Sequence, residues 1–525
     1  MKIKIFYILL LVSLIFLKSD FRFIEDIYCC GDDHDYYMHS ETISQDFDLD
    51  YNNQFLGIEN KRYNNNGKIA PIGFFGSGLL ASPFLLVGSL FNRVFESGEN
   101  NIFNYKILFY SMSSLFYLAL SIVFIEKTLK ILKINQDKLI TLLLYAGSGI
   151  FYFAFERYSM THVYEVFAIT MAIYYSSRLF HEKNSNKKID IMFIILSILL
   201  SFMVRWVNYF VILIPLIIRS IKKPREDKIK TNVKLLAVFY SLFFIMIFFL
   251  HTKLIYGVYT FDPRVIYGTN RTENIFDVSI IDFLISSSKD FLTILFTEEF
   301  GIFWFSPLIF LGIFISFINL LKSNSDKRLF SFLCLLSFAQ TFGIVIIWGS
   351  VASSYGFRYL YCLIPLSLII VSEFKAGKNF IYRLYILSFS LFSTISIIFF
   401  ETTSGTQLSI DKVTNSFGNE VIYSQPKYLS GVIQSVFELN SYLIIFSTSL
   451  LGAIIFKILI SIFGINGILD FLNSLGLPVE NKDFLLLINK LEIITFDKIF
   501  MILLLIYFIL KIITREFSSN SIEKI

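Results

Sequence analysis

Apolar stretches of about 17–22 residues recur along nearly the whole chain, and no other feature restricts its fold as strongly. A stretch of that length with few charges can cross a hydrocarbon layer as a helix. Only helices and closed barrels satisfy their own backbone groups in lipid, and these stretches lack the alternation of barrel strands. Of the 525 residues, 55% are hydrophobic and 61 are phenylalanine, whereas a soluble domain is about 45–50% apolar. The expected class is an all-α polytopic integral membrane protein. No repeat, low-complexity tract or appended soluble domain is visible, so 1–525 reads as a single domain.

Positive connectors mark the cytoplasmic side of such a protein. Five are clear, at 127–138, 181–188, 219–234, 322–328 and 375–378. Placing all five on one side fixes the parity of every other segment. Counting 69–95 as a crossing would put the lysines of 127–138 outside. That stretch also carries Pro71, Gly73, Gly76, Gly78, Pro83 and Gly88, which weaken a straight helix. It is expected to form juxtamembrane helices or a re-entrant segment inside one large outer loop, 18–102. The stretch 189–218 has basic flanks on both sides, so it needs two passes that turn near Arg205-Trp206-Val207-Asn208. A buried arginine at that turn needs a partner.

The N-terminal stretch 5–17 follows Lys2 and Lys4 and lacks a small-residue cleavage site, so it reads as an uncleaved span starting in the cytoplasm. Further spans fall near 103–125, 139–155, 160–180, 235–251, 301–321, 330–348, 357–372, 380–400, 441–461 and 498–513. The total is about thirteen crossings, with outer loops at 252–300 and 401–440. The protein is expected in the inner (plasma) membrane. Cysteine adds little: Cys29 and Cys30 are adjacent, Cys334 and Cys362 lie in apolar runs, and no zinc spacing appears.

With this threading the unusual polar residues collect on the outer face. Between positions 20 and 50 stand ten carboxylates, Asp20, Glu25, Asp26, Asp32, Asp33, Asp35, Glu41, Asp46, Asp48 and Asp50, against one arginine, Arg22. Carboxylates held against hydrocarbon are costly unless they are used. Asp32 and Asp33 are adjacent behind Gly31, an arrangement that splits carboxylate pKa values. Glu156, Arg157 and His162 fall at a second outer turn, Arg205 at a third, Glu298 and Glu299 before Gly301, and Arg358 at a late helix start. Plainer roles exist: Asp46, Asp48 and Asp50 as a solvated loop edge, Glu156 with Arg157 as an interfacial pair, His162 as a helix cap. Lys253, Arg264 and Arg271 read as headgroup or loop contacts. No Gly-rich phosphate loop occurs on the basic side, which argues against a nucleotide or nucleotide-sugar site there.

Gly31-Asp32-Asp33-His34-Asp35-Tyr36-Tyr37, directly after the first span, resembles the acidic motif of the GT-C superfamily of membrane glycosyltransferases. That superfamily includes the protein mannosyltransferases and the aminoarabinose transferase of lipid A. Gln45-Asp46-Phe47-Asp48-Leu49-Asp50 is similar to the Asp-Gly-Asp-Leu-Asp run of bacterial members. Pro71-Ile72-Gly73 with Leu79-Leu80-Ala81-Ser82-Pro83 resembles their Gly/Pro juxtamembrane segment. Phe303-Trp304-Phe305-Ser306-Pro307 and Tyr355-Gly356-Phe357-Arg358-Tyr359 are similar to later landmarks. The resemblance covers roughly the first 370 residues, with a GT-C-like core over 1–400, and finds no landmark in 401–525. Many members carry an Asp/Glu pair or Asp-Glu-Pro-His where this chain has Asp-Asp-His-Asp, which leaves Asp32, Asp33 and Asp35 all open as the catalytic position.

The resemblance implies an inverting transfer of a sugar from a polyprenyl-phosphate donor to a hydroxyl of a glycan, lipid or protein acceptor, on the extracytoplasmic side. An acceptor hydroxyl is a poor nucleophile, so a carboxylate takes its proton; Asp32 is the candidate, with Asp33 as helper, orienting group or metal ligand. The leaving phosphate suits guanidinium groups, for which Arg358 and Arg205 are candidates and His162 a third. His34, Asp35 and Tyr36 continue the motif as substrate-binding candidates. Asp32, Asp33, Asp35, His34 and His39 offer ligands for a divalent cation, although no metal or other cofactor is expected. Nucleic acid is not an expected partner. The alternatives are a lipid or glycan transporter or flippase without transferase activity, a structural or receptor-like membrane protein, and a ligase using pyrophosphate carriers.

Overall fold

The computed structural model describes residues 30–55, 67–95, 104–134, 138–155, 157–182, 185–206, 208–221, 231–262, 280–298, 300–321, 325–347, 355–374, 380–400, 411–414, 420–423, 429–438, 441–442 and 450–474. The expected first and last spans, 5–17 and 498–513, lie outside the described residues, as do Glu156, Glu299, Arg264 and Arg271. Among the described residues the regular structure is helical, apart from an antiparallel hairpin of Asp411–Thr414 with Glu420–Tyr423.

Three described helices are long and apolar enough to cross a membrane: Phe75–Val94, Tyr105–Ile131 and Lys234–Tyr256. Shorter apolar helices accompany them, among them Pro307–Leu321 and Arg328–Ile344. A chain that is helical and carries such helices fits the expected class in its coarse form.

The helices that build the site are α1 (Cys30–Glu41), α2 (Phe75–Phe95), α3 (Tyr105–Ile131), α4 (Lys138–Ala146), α5 (Ile150–Phe155), α6 (His162–His181) and α7 (Lys187–Val204). Asn104 caps α3 by accepting from the Ile107 N–H at 3.4 Å, which satisfies a backbone donor that the first turn leaves open. α3 and α6 run parallel. Ser113 meets Tyr164 at 2.6 Å, Ser121 meets Thr170 at 3.2 Å, and Phe124 stacks on Tyr174. Between them α4 and α5 return in the opposite direction, with Tyr145 on Ser121 and the Ala154 carbonyl on Ser114. The residues after α5 therefore emerge at the end where α6 begins.

α7 runs back along α6 from the Arg178–Asp190 pair, 3.1 Å apart, to Arg205 beside Glu165. The chain then reverses through a short 3-10 turn, Tyr209–Leu213, into α8 (Ile214–Ser220). His181 at the far end of α6 contacts the Ile218 carbonyl at 2.9 Å, so the stretch 189–218 makes two antiparallel passes with its turn at Arg205. α9 (Thr231–Tyr256) climbs beside α7, with Phe248 on Phe202 and His251 on Trp206.

Residues 75–95 depart from expectation. Where juxtamembrane helices or a re-entrant segment are expected, they form one continuous helix through Pro83, long and apolar enough to cross a membrane. The glycines make close contacts instead of breaks: a Cβ on Gly76 would lie 2.5 Å from the Val204 backbone, and one on Gly78 would collide with His39. The Leu79 carbonyl that Pro83 leaves without its helical donor accepts from Ser82 Oγ at 2.9 Å. α2 lies antiparallel to the first half of α3, with Phe91 against Tyr105 and Phe109, Phe84 against Phe116, and the Leu80 carbonyl accepting from Tyr117 at 3.0 Å. It keeps away from the half carrying Lys127 and Lys130. A second departure is Ile280–Phe296, a helix inside the expected outer loop 252–300, whose Phe291 packs on Phe338 and Phe342.

If α2 keeps to one end of the bundle, single cysteines replacing Lys68 and Arg93, before and near the end of α2, react with an impermeant thiol reagent from the same side of an oriented membrane, and one replacing Lys133 reacts from the other side. Labelling of positions 68 and 93 from opposite sides contradicts this placement.

Candidate functional site

The site forms at the end of the bundle where α1, the turn between α5 and α6, and the turn after α7 meet. α1 is anchored on several faces. Its Asp33 is fully buried, accepts a hydrogen bond from Ser159 Oγ, and lies 2.5 Å from Arg157 Nη2. Asp35, also buried, accepts from the Ile72 backbone N–H at 2.5 Å and has His34 Nδ1 3.7 Å from its other oxygen. Ser40 donates to the Gly78 carbonyl at 3.0 Å, Tyr37 packs edge-on against Tyr110, and Glu41 pairs with Lys106 at 3.7 Å.

His39 closes this anchorage. Its Nδ1 is 2.7 Å from the Tyr51 hydroxyl and its Nε2 is 3.3 Å from the Gly73 carbonyl. A carbonyl can only accept, so Nε2 carries the proton and Nδ1 accepts from Tyr51. Tyr256 donates to the same Gly73 carbonyl at 2.8 Å. Burial pushes the His39 ring down to about 3, with nearby His251 adding to the effect and the Gly73 bond opposing it. Burial likewise pushes the Tyr51 phenol up. Both stay neutral.

A second group assembles around α6. Glu165, fully buried, lies 3.3 Å from Arg205 Nη1 and 3.7 Å from His162 Nδ1. It is the partner that a buried Arg205 requires. Arg205 in turn sits over the Tyr359 ring at 5.1 Å from the centroid, and Arg358 approaches the same ring at 5.5 Å. Arg358 also reaches Met160 Sδ at 4.0 Å. His162 lies edge-on between Phe153 and Tyr361. Arg205 and His162 are buried, whereas Arg358 and His34 remain half-buried.

Asp33, Asp35, His34, Tyr36, His162, Arg205 and Arg358 thus belong to one end of the molecule. Asp32 occupies the first turn of α1, and its side chain lies outside the described residues. Tyr36, one turn later on the same face of the helix, packs against Gly73 and lies close enough to Arg205 to sense its charge. Sequence reasoning missed Glu165 and Tyr359. The available signal for Glu165 was its standing as the one carboxylate inside the apolar run 160–180, a turn after His162. Arg157, for which an interfacial pair with Glu156 is one of two readings of the sequence, pairs with Asp33; Glu156 lies outside the described residues.

Of the side chains suggested for a divalent cation, that of Asp32 lies outside the described residues. Both ring nitrogens of His39 and both carboxylate oxygens of Asp33 have other partners. Among the described residues no group of three or more His, Cys, Asp or Glu side chains is arranged to hold a metal ion. In the acidic loop, Asp48 accepts from Thr42 and from the Asp50 N–H, and Asn53 and Gln54 both donate to Asp46. Phe47 has a left-handed backbone at φ 59°, a conformation that favours glycine. Comparison with protein-family models, with curated proteins and with solved structures finds no match for this chain.

The neutral His39 sets a pH dependence. An unfolded chain protonates this ring near 6.5, but the folded protein resists until about 3. Stability is therefore complete above about 6.5 and falls as pH drops through that window, by up to about 1.4 kcal/mol per pH unit for this one proton. In His39→Gln, the thermal midpoint of the detergent-solubilised protein should fall less steeply between pH 6 and 4 than in wild type. Equal slopes would show that this ring does not titrate on unfolding.

Proposed function

We propose that the protein is an inverting membrane glycosyltransferase of GT-C type, with about thirteen crossings and its site on the extracytoplasmic side of the plasma membrane. The donor is a polyprenyl-phosphate sugar and the acceptor a hydroxyl on a glycan, lipid or protein. The observation that carries this reading is the convergence at one end of an acidic helix, α1, with two guanidinium groups on a shared tyrosine ring. Lys127, Lys130, Lys133, Lys187, Lys188 and Arg219 stand at the opposite ends of the same helices. A cytoplasmic basic end gives the acidic end an outer orientation.

In the reaction, Asp32 takes the acceptor proton as the hydroxyl oxygen attacks the anomeric carbon. The bond from that carbon to the phosphate oxygen breaks on the opposite face, and the electron pair leaves on the lipid phosphate. Asp33, held by Arg157 and Ser159, orients α1 rather than acting as a second base, because both its oxygens are already occupied. Of the two arginines, Arg358 is the one a ligand reaches directly, since Arg205 is buried and paired with Glu165. A guanidinium matches the charge that develops on the leaving phosphate.

Purified protein in liposomes, supplied with a panel of polyprenyl-phosphate sugars and an acceptor extract, should consume one donor. Asp32→Asn should abolish turnover without loss of folded protein, and Arg358→Ala should lower donor use about 100-fold, as for loss of a charged transition-state contact. Full activity of Asp32→Asn would remove that residue from the mechanism. No consumption of any donor, with lipid or glycan movement across the bilayer instead, would favour a transporter.

A further inference from the structure

Glu165, Arg205, Tyr359 and Arg358 form a continuous series that the reaction as written does not use in full. The Glu165 carboxylate contacts Arg205 Nη1 at 3.3 Å, and Arg205 and Arg358 lie 5.1 and 5.5 Å from the centroid of one tyrosine ring. Arg205 ends the helical backbone of α7 with extended dihedral angles, at the start of the reversal into α8. Taking two charges out of water costs several kcal/mol per ion, and a well-packed apolar pair is often as stable. Stability alone is therefore a poor reason for an ion pair at this depth. The Tyr359 ring that Arg205 contacts is also approached by the half-buried Arg358.

We propose that Glu165 is a positioning residue that sets the place of Arg358 through Arg205 and the Tyr359 ring, so that the donor phosphate meets a preorganised guanidinium. This inference rests on the glycosyltransferase reading. Fixing Arg205 keeps one cation against the ring, and the two like charges then define where Arg358 can stand relative to the same π-system. A carboxamide at 165 preserves volume but releases Arg205 from its charged partner. A purely structural Glu165 would affect folding and leave the phosphate contact alone.

The test is a double-mutant cycle on binding of a long-chain polyprenyl monophosphate to detergent-solubilised protein. Glu165→Gln should weaken binding about tenfold in the otherwise native protein. In an Arg358→Ala background the same change should alter binding by less than about twofold. Because Glu165→Gln leaves Arg205 buried without its carboxylate, the double variant Glu165→Gln/Arg205→Gln, which removes both charges, is measured alongside. It should fold and show the same loss. Native binding by Glu165→Gln, or equal losses with and without Arg358, would overturn the inference while leaving the glycosyltransferase reading intact. Failure of the wild-type protein both to bind the lipid phosphate and to consume any donor would overturn the two together.

Discussion

Matching of buried charge within one short segment, residues 157–165, underlies the organisation of the polar end. Arg157 at its start neutralises Asp33 of α1, and Glu165 at its end neutralises Arg205 of the α7–α8 reversal. Both carboxylates are fully buried. In a largely apolar protein each would be untenable alone, since removing one partner of such a pair costs about 3–5 kcal/mol. The segment therefore ties the acidic helix, most of whose described side chains are buried, to a turn formed by two other passes.

The rest of the site follows from those two ties. With α1 held by Asp33, the contacts of Asp35 with Ile72 and of His39 with Gly73 bring residues 69–75 under the helix, and α2 departs from there along α3. With Arg205 held by Glu165, Tyr359 gains a cation on its ring and Arg358 is left half-buried nearby. The glycines that weaken α2 on paper are what let it pack: Gly76 against α7 and Gly78 against α1. Close backbone approach takes the place of helix propensity, which tertiary contacts readily override.

Hydrophobic length and the spacing of lysines were enough to point to the helical class, the chain reversal near Arg205 and the need for a partner at that arginine. Those inferences rest on lipid energetics, which act on each segment by itself. What stayed hidden depends on contacts between distant segments. The pairing of Asp33 with Arg157 spans more than a hundred residues, and nothing in either local sequence favours it over Glu156, the immediate neighbour. The run 355–359 stands out in the sequence, but the two arginines on the Tyr359 ring, Arg205 and Arg358, come from segments far apart in the chain. The continuity of 75–95 was misjudged because Gly and Pro are counted by their intrinsic cost, and the packing they permit is invisible in one dimension.

The claim on which this account depends is that Asp33 and Arg157 form a buried pair joining α1 to the bundle. Exchanging the charges tests it: the stability and folded yield of Asp33→Arg, Arg157→Asp and the double exchange are compared in detergent. The account predicts that each single change loses about 3–5 kcal/mol of stability and that the double exchange recovers a substantial part of it. A double exchange no better than the sum of its parts would mean that the two residues do not meet, and the assembly of the site described here would be wrong.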